Sequence, residues 1–337
     1  RSCRVGRAVQ DAREQGAVAM ADLRQELAAL DEHQLLDVAR SFNQFLNMAN
    51  IAEQHHRVRL RRRDQSYAGD PGGEQTPAEV MRRLAEQGVE SARMRDGLAG
   101  MSVELVLTAH PTEIARRTLI RKYDRMAELL AELDRGDLMD DERLRLRRDL
   151  ERVLLSVWRT DEIRREKPKP VDEAKWGFAT IEQSLWYAVP AFLRELDEQM
   201  EAELGEQLPL DAAPVTFASW MGGDRDGNPN VTANVTREVL HLARWMAADL
   251  YLRDVERLLG DLSMQDASDE LLEWTGPSHE PYRVLLRHVR ERLHNTRDAM
   301  EAWLEGREWN GEPGYQTTAE LAEQLWLIDR SLRACRL

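Results

Sequence analysis

Apolar residues recur at steps of three and four along most of the chain, which is the period of an α-helix. In residues 19–60 the charged residues fall on the opposite face, and the pattern predicts two helices joined near Asp31. The same period predicts helices over 77–97, 114–135, 139–166, 173–204, 236–262, 279–305 and 316–334. The chain is therefore expected to be mainly α-helical.

Two short stretches break this period. Val103–Leu107 and Pro214–Trp220 are rich in β-branched or aromatic residues and bounded by turn formers, a pattern typical of buried strands. Each stretch runs directly into polar residues, as strands do in parallel α/β folds, where functional groups follow the carboxyl ends of strands. Two strands cannot close a barrel, so the pattern indicates a helical fold with a small sheet or with further strands missing.

Composition narrows the class of protein. The 337 residues are 42% hydrophobic and 32% charged, which is typical of a folded chain of one or two domains. A net charge of −14 disfavours nucleic-acid binding. The sequence has no apolar run long enough for a membrane span, and Cys3 and Cys335 are expected to be free thiols of a cytoplasmic protein.

The first stretch with candidate chemistry is Thr108–Glu113, between the first strand and a predicted helix. The unpaired N–H groups of a helix start favour anions, and His110 could exchange a proton with a bound oxyanion. Arg116 and Arg117 are suited to holding a phosphate or carboxylate. The alternatives are a histidine that only satisfies a buried turn, and a solvent-exposed Glu113–Arg117 pair.

The second stretch, Ser219–Asn230, is a glycine-rich loop after the second strand. Asp224 and Asp226 flank Arg225, which we interpret as an arginine whose head is fixed by the two carboxylates beside a ligand. Ordinary stabilisation of the loop by the same ion pairs is the alternative. A third stretch, Trp158–Pro170, is a basic helix end, and the following Asp172 is predicted to cap the next helix.

These stretches together resemble bacterial-type phosphoenolpyruvate carboxylase. The resemblance is carried, in the family's order, by Ser41–Gln54, Leu105–Glu113, Trp158–Arg165, Pro170–Ser184 and Phe217–Pro229. It implies that 1–337 is a single, incomplete catalytic domain with a helical part at 1–100. Residues 101–337 would begin a TIM-like β/α barrel, with its first two strands near 103–108 and 214–220.

The resemblance also implies an activity and roles for particular residues. The family carboxylates phosphoenolpyruvate with bicarbonate, via carboxyphosphate and enolpyruvate, to oxaloacetate and phosphate. By this resemblance His110 takes the proton of the carboxyphosphate group, and Trp158 and Arg225 line its pocket. The substrate-binding residues would be Thr112, Gly223 and Asp224, and the residues of an allosteric phosphate site Arg116, Arg117 and Arg164.

Members of this family need Mg²⁺ or Mn²⁺, and the resemblance implies that the metal ligands lie downstream of Leu337, with none in this chain. We therefore expect an amino-proximal fragment, inactive alone, of an enzyme that is a cytoplasmic homotetramer when full length. Two other hypotheses stay open: a non-catalytic helical subunit that recognises a phosphorylated metabolite, and a phosphohydrolase that uses His110 as phosphate acceptor.

Overall fold

A computed structural model gives the fold of residues 23–25, 27–64, 77–108, 117–161 and 169–335. Most of these residues are helical, and two short parallel strands are the only strands among them. The prediction of a mainly α-helical chain with two strands is therefore confirmed. The chain forms two compact units, one of Arg1–Glu74 with Glu113–Glu166 and one of Gln75–Thr112 with Lys167–Leu337.

The elements follow one another in a fixed order along the described residues. They are α1 (Glu32–Asp64), α2 (Pro77–Glu86), α3 (Ser91–Ala99), β1 (Val103–Leu107), α4 (Arg117–Leu133), α5 (Asp140–Trp158), α6 (Pro170–Thr180), a π-helical turn (Ile181–Leu185), α7 (Trp186–Leu204), β2 (Val215–Ser219), α8 (Ala233–Asp261), α9 (Asp269–Thr275), α10 (Pro281–Leu304) and α11 (Thr318–Cys335).

In the first unit, α4 packs against both α1 and α5. Leu119 and Met126 of α4 and Val157 of α5 form a buried cluster, and Met48 and Ile51 of α1 pack against it. Leu119 and Met126 are seven residues apart, so both lie on the one face of α4 that the helical period predicts to be buried.

In the second unit the largest apolar cluster lies between α8, α9, α10 and α11. Tyr282, Leu285, Leu286 and Val289 of α10 are all fully buried. Their spacing of three and four residues places them on one stripe of the helix, which the neighbouring helices cover.

The two strands pair in parallel, with Val103 opposite Val215 and Leu107 opposite Ser219. The backbone N–H of Trp220 extends the ladder by donating to the carbonyl of Leu107 at 3.0 Å. The strands predicted near 103–108 and 214–220 are therefore confirmed, and their carboxyl ends meet at one edge of the sheet.

The strands are more exposed than the buried strands that the sequence predicts. In β1 Val103 is 44% exposed and Val106 is 42% exposed, and in β2 Phe217 is 43% exposed. Among the described residues, only the end of the sheet near Leu107 packs against a buried cluster, that of Ala174, Phe178, Met221 and Val239. The apolar composition of a strand indicates that its burial is favourable, whereas its actual exposure depends on which elements pack against it.

Several helix boundaries differ from the sequence prediction. The helix predicted over 77–97 is two helices, because the chain turns at Gly88, whose φ is +80°. The helix predicted over 139–166 ends at Trp158. The π-helical turn interrupts the helix predicted over 173–204, which starts earlier, at Pro170.

The sequence prediction missed one further local feature and misplaced another. The short helix α9 is too brief to show a helical period, although Ser268 caps its start in the usual way. Asp172 lies inside the first turn of α6, where its carboxylate accepts a hydrogen bond from the N–H of Lys169 at 3.1 Å. Lys169, not Asp172, is therefore the residue at the cap position. None of the helices in the described part of the chain combines the length and apolar character needed to cross a membrane.

Candidate active site

The loop between β2 and α8 carries three of the predicted site residues, Gly223, Asp224 and Arg225. The carbonyl of Trp220 accepts hydrogen bonds from the N–H groups of Gly223, at 3.1 Å, and Asp224, at 2.9 Å. These two bonds turn the chain sharply as it leaves the strand. The loop therefore begins with a hydrogen-bonded turn that fixes the path of the backbone.

Gly222 fixes this loop to α8. Its φ of +72° is in the left-handed region that favours glycine. A Cβ at this position would lie 2.5 Å from Cγ2 of Val239 on α8. The hydroxyl of Thr236, also on α8, donates to the carbonyl of Gly222 at 2.7 Å. The loop is thus held by close packing on one side and by a side-chain hydrogen bond to its backbone.

The start of α8 is capped in turn. The hydroxyl of Thr232 accepts a hydrogen bond from the N–H of Val235 at 3.3 Å, and this satisfies one of the unpaired donors of the first turn. Because Thr236 and Val239 follow on the same helix, the capped end of α8 is the support on which the loop rests.

Arg225 is exposed, and within the described residues it forms no ion pair with Asp224 or Asp226. The prediction that these two carboxylates fix its head is therefore wrong. The carboxylate of Asp224 instead accepts a hydrogen bond from the N–H of Asp226 at 3.1 Å. A short acidic side chain in a turn reaches its own backbone more readily than a neighbouring guanidinium, and Asp224 consequently shapes the loop.

The segment that follows β1 starts at the same edge of the sheet. Leu107 pairs with Ser219, so the chain leaves both strands side by side, toward Thr108 on one strand and Trp220 on the other. His110, Thr112, Arg116 and Arg164 lie outside the described residues, and their predicted roles stay predictions.

Trp158 belongs to the first unit and is the last residue of α5. Its side chain is 38% exposed. The guanidinium of Arg40 on α1 lies 6.0 Å from the centre of its ring, at the limit of a cation–π contact. Arg117 begins α4 in the same unit. The structure thus gives Trp158 a defined position at a helix end, with part of its ring accessible.

Comparison with known proteins identifies the family. The phosphoenolpyruvate carboxylase family model matches residues 3–337. The chain belongs to this family. A phosphoenolpyruvate carboxylase from Alcanivorax borkumensis is 62% identical over 96% of the chain, and one from Pseudomonas aeruginosa is 55% identical over 92%. A third, from Pseudomonas paraeruginosa, is 53% identical over 98% of the chain.

The chain spans only part of these relatives. The matched region covers 37% of the Alcanivorax carboxylase, 35% of the Pseudomonas aeruginosa carboxylase and 38% of the Pseudomonas paraeruginosa carboxylase. Most of each carboxylase relative is therefore sequence that this chain does not contain.

A divalent metal ion would need several side chains grouped as ligands. Within the described ranges, no three histidine, cysteine, aspartate or glutamate side chains come together in a group that could hold a metal ion.

Two residues that hold the loop after β2 were missed by reasoning from the sequence. Thr236 and Val239 contact Gly222 although they lie 14 and 17 residues further along the chain. Thr236 follows the cap residue Thr232 by one helical turn, so its position on the loop side of α8 could have been inferred. No signal in the sequence indicates the contact of Val239.

Proposed function

We propose that this chain is part of an enzyme that carboxylates phosphoenolpyruvate with bicarbonate, giving oxaloacetate and phosphate. The family match over residues 3–337 carries the proposal, and the relatives that match the chain are named for this activity. The parallel pairing of β1 and β2 supports it, because both motif segments leave the sheet at the same edge. The chemistry of the two segments would then act on one substrate.

In the proposed reaction an oxygen of bicarbonate attacks the phosphorus atom of phosphoenolpyruvate. The bond from phosphorus to the enol oxygen breaks, which yields carboxyphosphate and the enolate of pyruvate. His110 takes the proton of the carboxyphosphate group, which then separates into CO₂ and phosphate. The enolate carbon attacks CO₂ and forms the new carbon–carbon bond of oxaloacetate.

The remaining residues would bind and orient the reactants. The resemblance to the family is the ground on which we assign Arg225 and Trp158 to the carboxyphosphate group; Arg225 is exposed in the second unit and Trp158 is partly exposed in the first. Thr112, Gly223 and Asp224 would contact the substrate. Arg116, Arg117 and Arg164 would form a separate allosteric site for a phosphorylated metabolite.

The exposed strands support an incomplete β/α barrel. Parallel sheets are normally covered on both faces, whereas several apolar side chains of β1 and β2 are exposed among the described residues. We infer that further strands and helices of the carboxylase polypeptide cover this sheet. The same observation disfavours a self-contained regulatory subunit, since soluble monomers rarely leave large apolar patches exposed.

The properties of the whole enzyme follow from the family and are part of the proposal. They are a requirement for Mg²⁺ or Mn²⁺ bound by residues outside this chain, assembly as a homotetramer, and a cytoplasmic location.

The test is carboxylation by the gene product that contains these 337 residues. With phosphoenolpyruvate and labelled bicarbonate, we expect labelled oxaloacetate, trapped by reduction to malate. The His110→Asn variant should lose activity by a factor of about 100–10,000, the usual contribution of a positioned proton acceptor. His56→Asn makes the same substitution at an exposed position of α1 and should behave as the wild type.

Two outcomes would contradict the proposal. A wild-type gene product that forms no bicarbonate-dependent oxaloacetate excludes the carboxylase activity. Full activity in His110→Asn excludes the catalytic role of His110 and leaves the activity itself standing.

A further inference from the structure

Lys122, in the second turn of α4, reaches the C-terminal end of α5. Its ammonium group donates to the backbone carbonyl of Ser156 at 2.9 Å and to the hydroxyl oxygen of Thr160 at 2.5 Å. The last carbonyls of a helix lack partners and carry the negative end of the helix dipole. A cationic donor at this point therefore satisfies an acceptor and also neutralises local negative charge.

The hydrogen bonds of Lys122 lie on both sides, along the chain, of Trp158, the residue that ends α5. The hydroxyl of Thr160 donates to the carbonyl of Ser156 at 2.6 Å, so Lys122, Ser156 and Thr160 form a closed set of three hydrogen bonds. Trp158 lies between Ser156 and Thr160 in the chain. The chain on both sides of Trp158 is thus tied to α4 through one ammonium group, at the backbone carbonyl of Ser156 and at the side-chain hydroxyl of Thr160.

The exposure of Trp158 makes this anchor important for its position. The preceding residue, Val157, is 3% exposed and belongs to the buried cluster of the first unit. Trp158 is 38% exposed, and the ring contact that the structure gives it is with Arg40, at 6.0 Å. Because more than a third of Trp158 is exposed, packing alone does not fix the indole, and its direction also depends on the geometry of the helix end that carries it.

We propose that Lys122 is a positioning residue that holds Trp158 in place for carboxylation. This inference rests on the proposed function, in which Trp158 lines the pocket of the carboxyphosphate group. Lys122 does not itself touch the reactants. It acts through the helix end that its ammonium group fixes.

The first test measures the helix end directly, by hydrogen exchange in the gene product that contains this chain. Lys122→Met removes the ammonium and keeps an unbranched side chain, whereas Lys122→Arg keeps a cationic donor. Arg121→Met is the matched control, because Arg121 is the exposed neighbour of Lys122.

We expect the amides of Arg159 and Thr160, which close the last turn of α5, to exchange at least about tenfold faster in Lys122→Met, the effect of losing a charged hydrogen bond. Lys122→Arg and Arg121→Met should exchange as the wild type does. Unchanged exchange in Lys122→Met, or equal acceleration in Lys122→Arg, overturns the inference. This result does not depend on whether the protein is a carboxylase.

The second test asks whether Lys122 acts through Trp158. It compares kcat/KM for bicarbonate in Lys122→Met, Trp158→Phe and the double variant. We expect Lys122→Met to lower kcat/KM about tenfold in the wild-type background and to have little further effect in the Trp158→Phe background, because coupled residues are not additive. Lys122→Arg should recover most of the loss.

The outcomes separate the two proposals. An equal loss from Lys122→Met in both backgrounds indicates a purely structural role and overturns the inference, as does wild-type kcat/KM in Trp158→Phe. A wild type without bicarbonate-dependent activity contradicts the proposed function, and hydrogen exchange then still decides whether Lys122 fixes the helix end.

Discussion

Replacing Gly222 by alanine adds one methyl group, and the local geometry determines how far this lowers the free energy of unfolding. Its φ of +72° is left-handed, a conformation that costs an alanine about 1–2 kcal/mol. The new Cβ would lie 2.5 Å from Cγ2 of Val239 and 3.0 Å from its Cβ, whereas carbon atoms in contact are normally about 3.5–4.0 Å apart. Val239 is only 7% exposed, and overpacking of this kind costs about 1–3 kcal/mol. We therefore expect Gly222→Ala to lower the free energy of unfolding by about 2–5 kcal/mol.

Two neighbouring glycines separate the contributions to this effect. Gly227 has a φ of +73° but no atom within 4 Å of an added Cβ, so Gly227→Ala should show only the conformational cost of about 1–2 kcal/mol. At Gly223 the nearest atom, the carbonyl oxygen of Trp220, is 3.8 Å from an added Cβ, an ordinary contact. Gly223→Ala should change stability by no more than about 0.5 kcal/mol.

The assay is urea denaturation of the chain followed by tryptophan fluorescence. Of the nine tryptophans only Trp158 lies in the first unit, so the signal reports mainly on the unit that contains Gly222. Gly222→Ala should be the most destabilised of the three variants and Gly223→Ala the least. Equal destabilisation in Gly222→Ala and Gly227→Ala would refute the packing argument. Val239→Ala should also cost less in the Gly222→Ala background than in the wild type, because it removes the clash.

Two further predictions concern the second unit. Burial and the nearby arginines lower the pKa of His241. The folded state therefore favours the neutral ring, and as the pH falls below the ordinary histidine pKa of about 6.5 the unfolded state binds the proton first. The free energy of unfolding from urea denaturation should therefore fall as the pH drops through this value, and His241→Gln should reduce that fall; an identical pH dependence in the variant would contradict the assignment. Ser331 is fully buried, with its hydroxyl oxygen 2.9 Å from the N–H of Ser268 and 2.9 Å from the hydroxyl of Tyr282. We expect Ser331→Ala to lower the free energy of unfolding by about 1–3 kcal/mol in the same assay, because both groups lose a buried partner. The double variant Ser331→Ala with Tyr282→Phe should lose less than the sum of the two single changes. Strict additivity would argue against the shared hydrogen bond.

The helices and strands were largely predictable because their signals are local. The three- and four-residue period predicted most helices, and the short, mostly apolar stretch Val103–Leu107 predicted β1. The errors lie where a single residue ends an element. Gly88 divides the helix predicted over 77–97, and α5 ends at Trp158, eight residues before the predicted end.

The candidate site was predictable in its residue types and less so in its contacts. The glycine-rich loop lies where the sequence places it, directly after β2. The ion pairs predicted for Arg225 are absent from the described residues, and Asp224 accepts a hydrogen bond from the backbone of Asp226. Sequence proximity shows which groups could meet, but the turn geometry decides which of them do.

By itself the sequence determined the helical class of this chain, its two strands and its membership of the carboxylase family, since each depends on the order and spacing of residues along the chain. Only the tertiary structure decided the register of β1 on β2, the contact of Val239 with Gly222 and the reach of Lys122 to the end of α5. These contacts join residues from 17 to more than 100 positions apart. They form because packing the buried faces of the helices brings distant segments together, and no local pattern records which partner a side chain will meet.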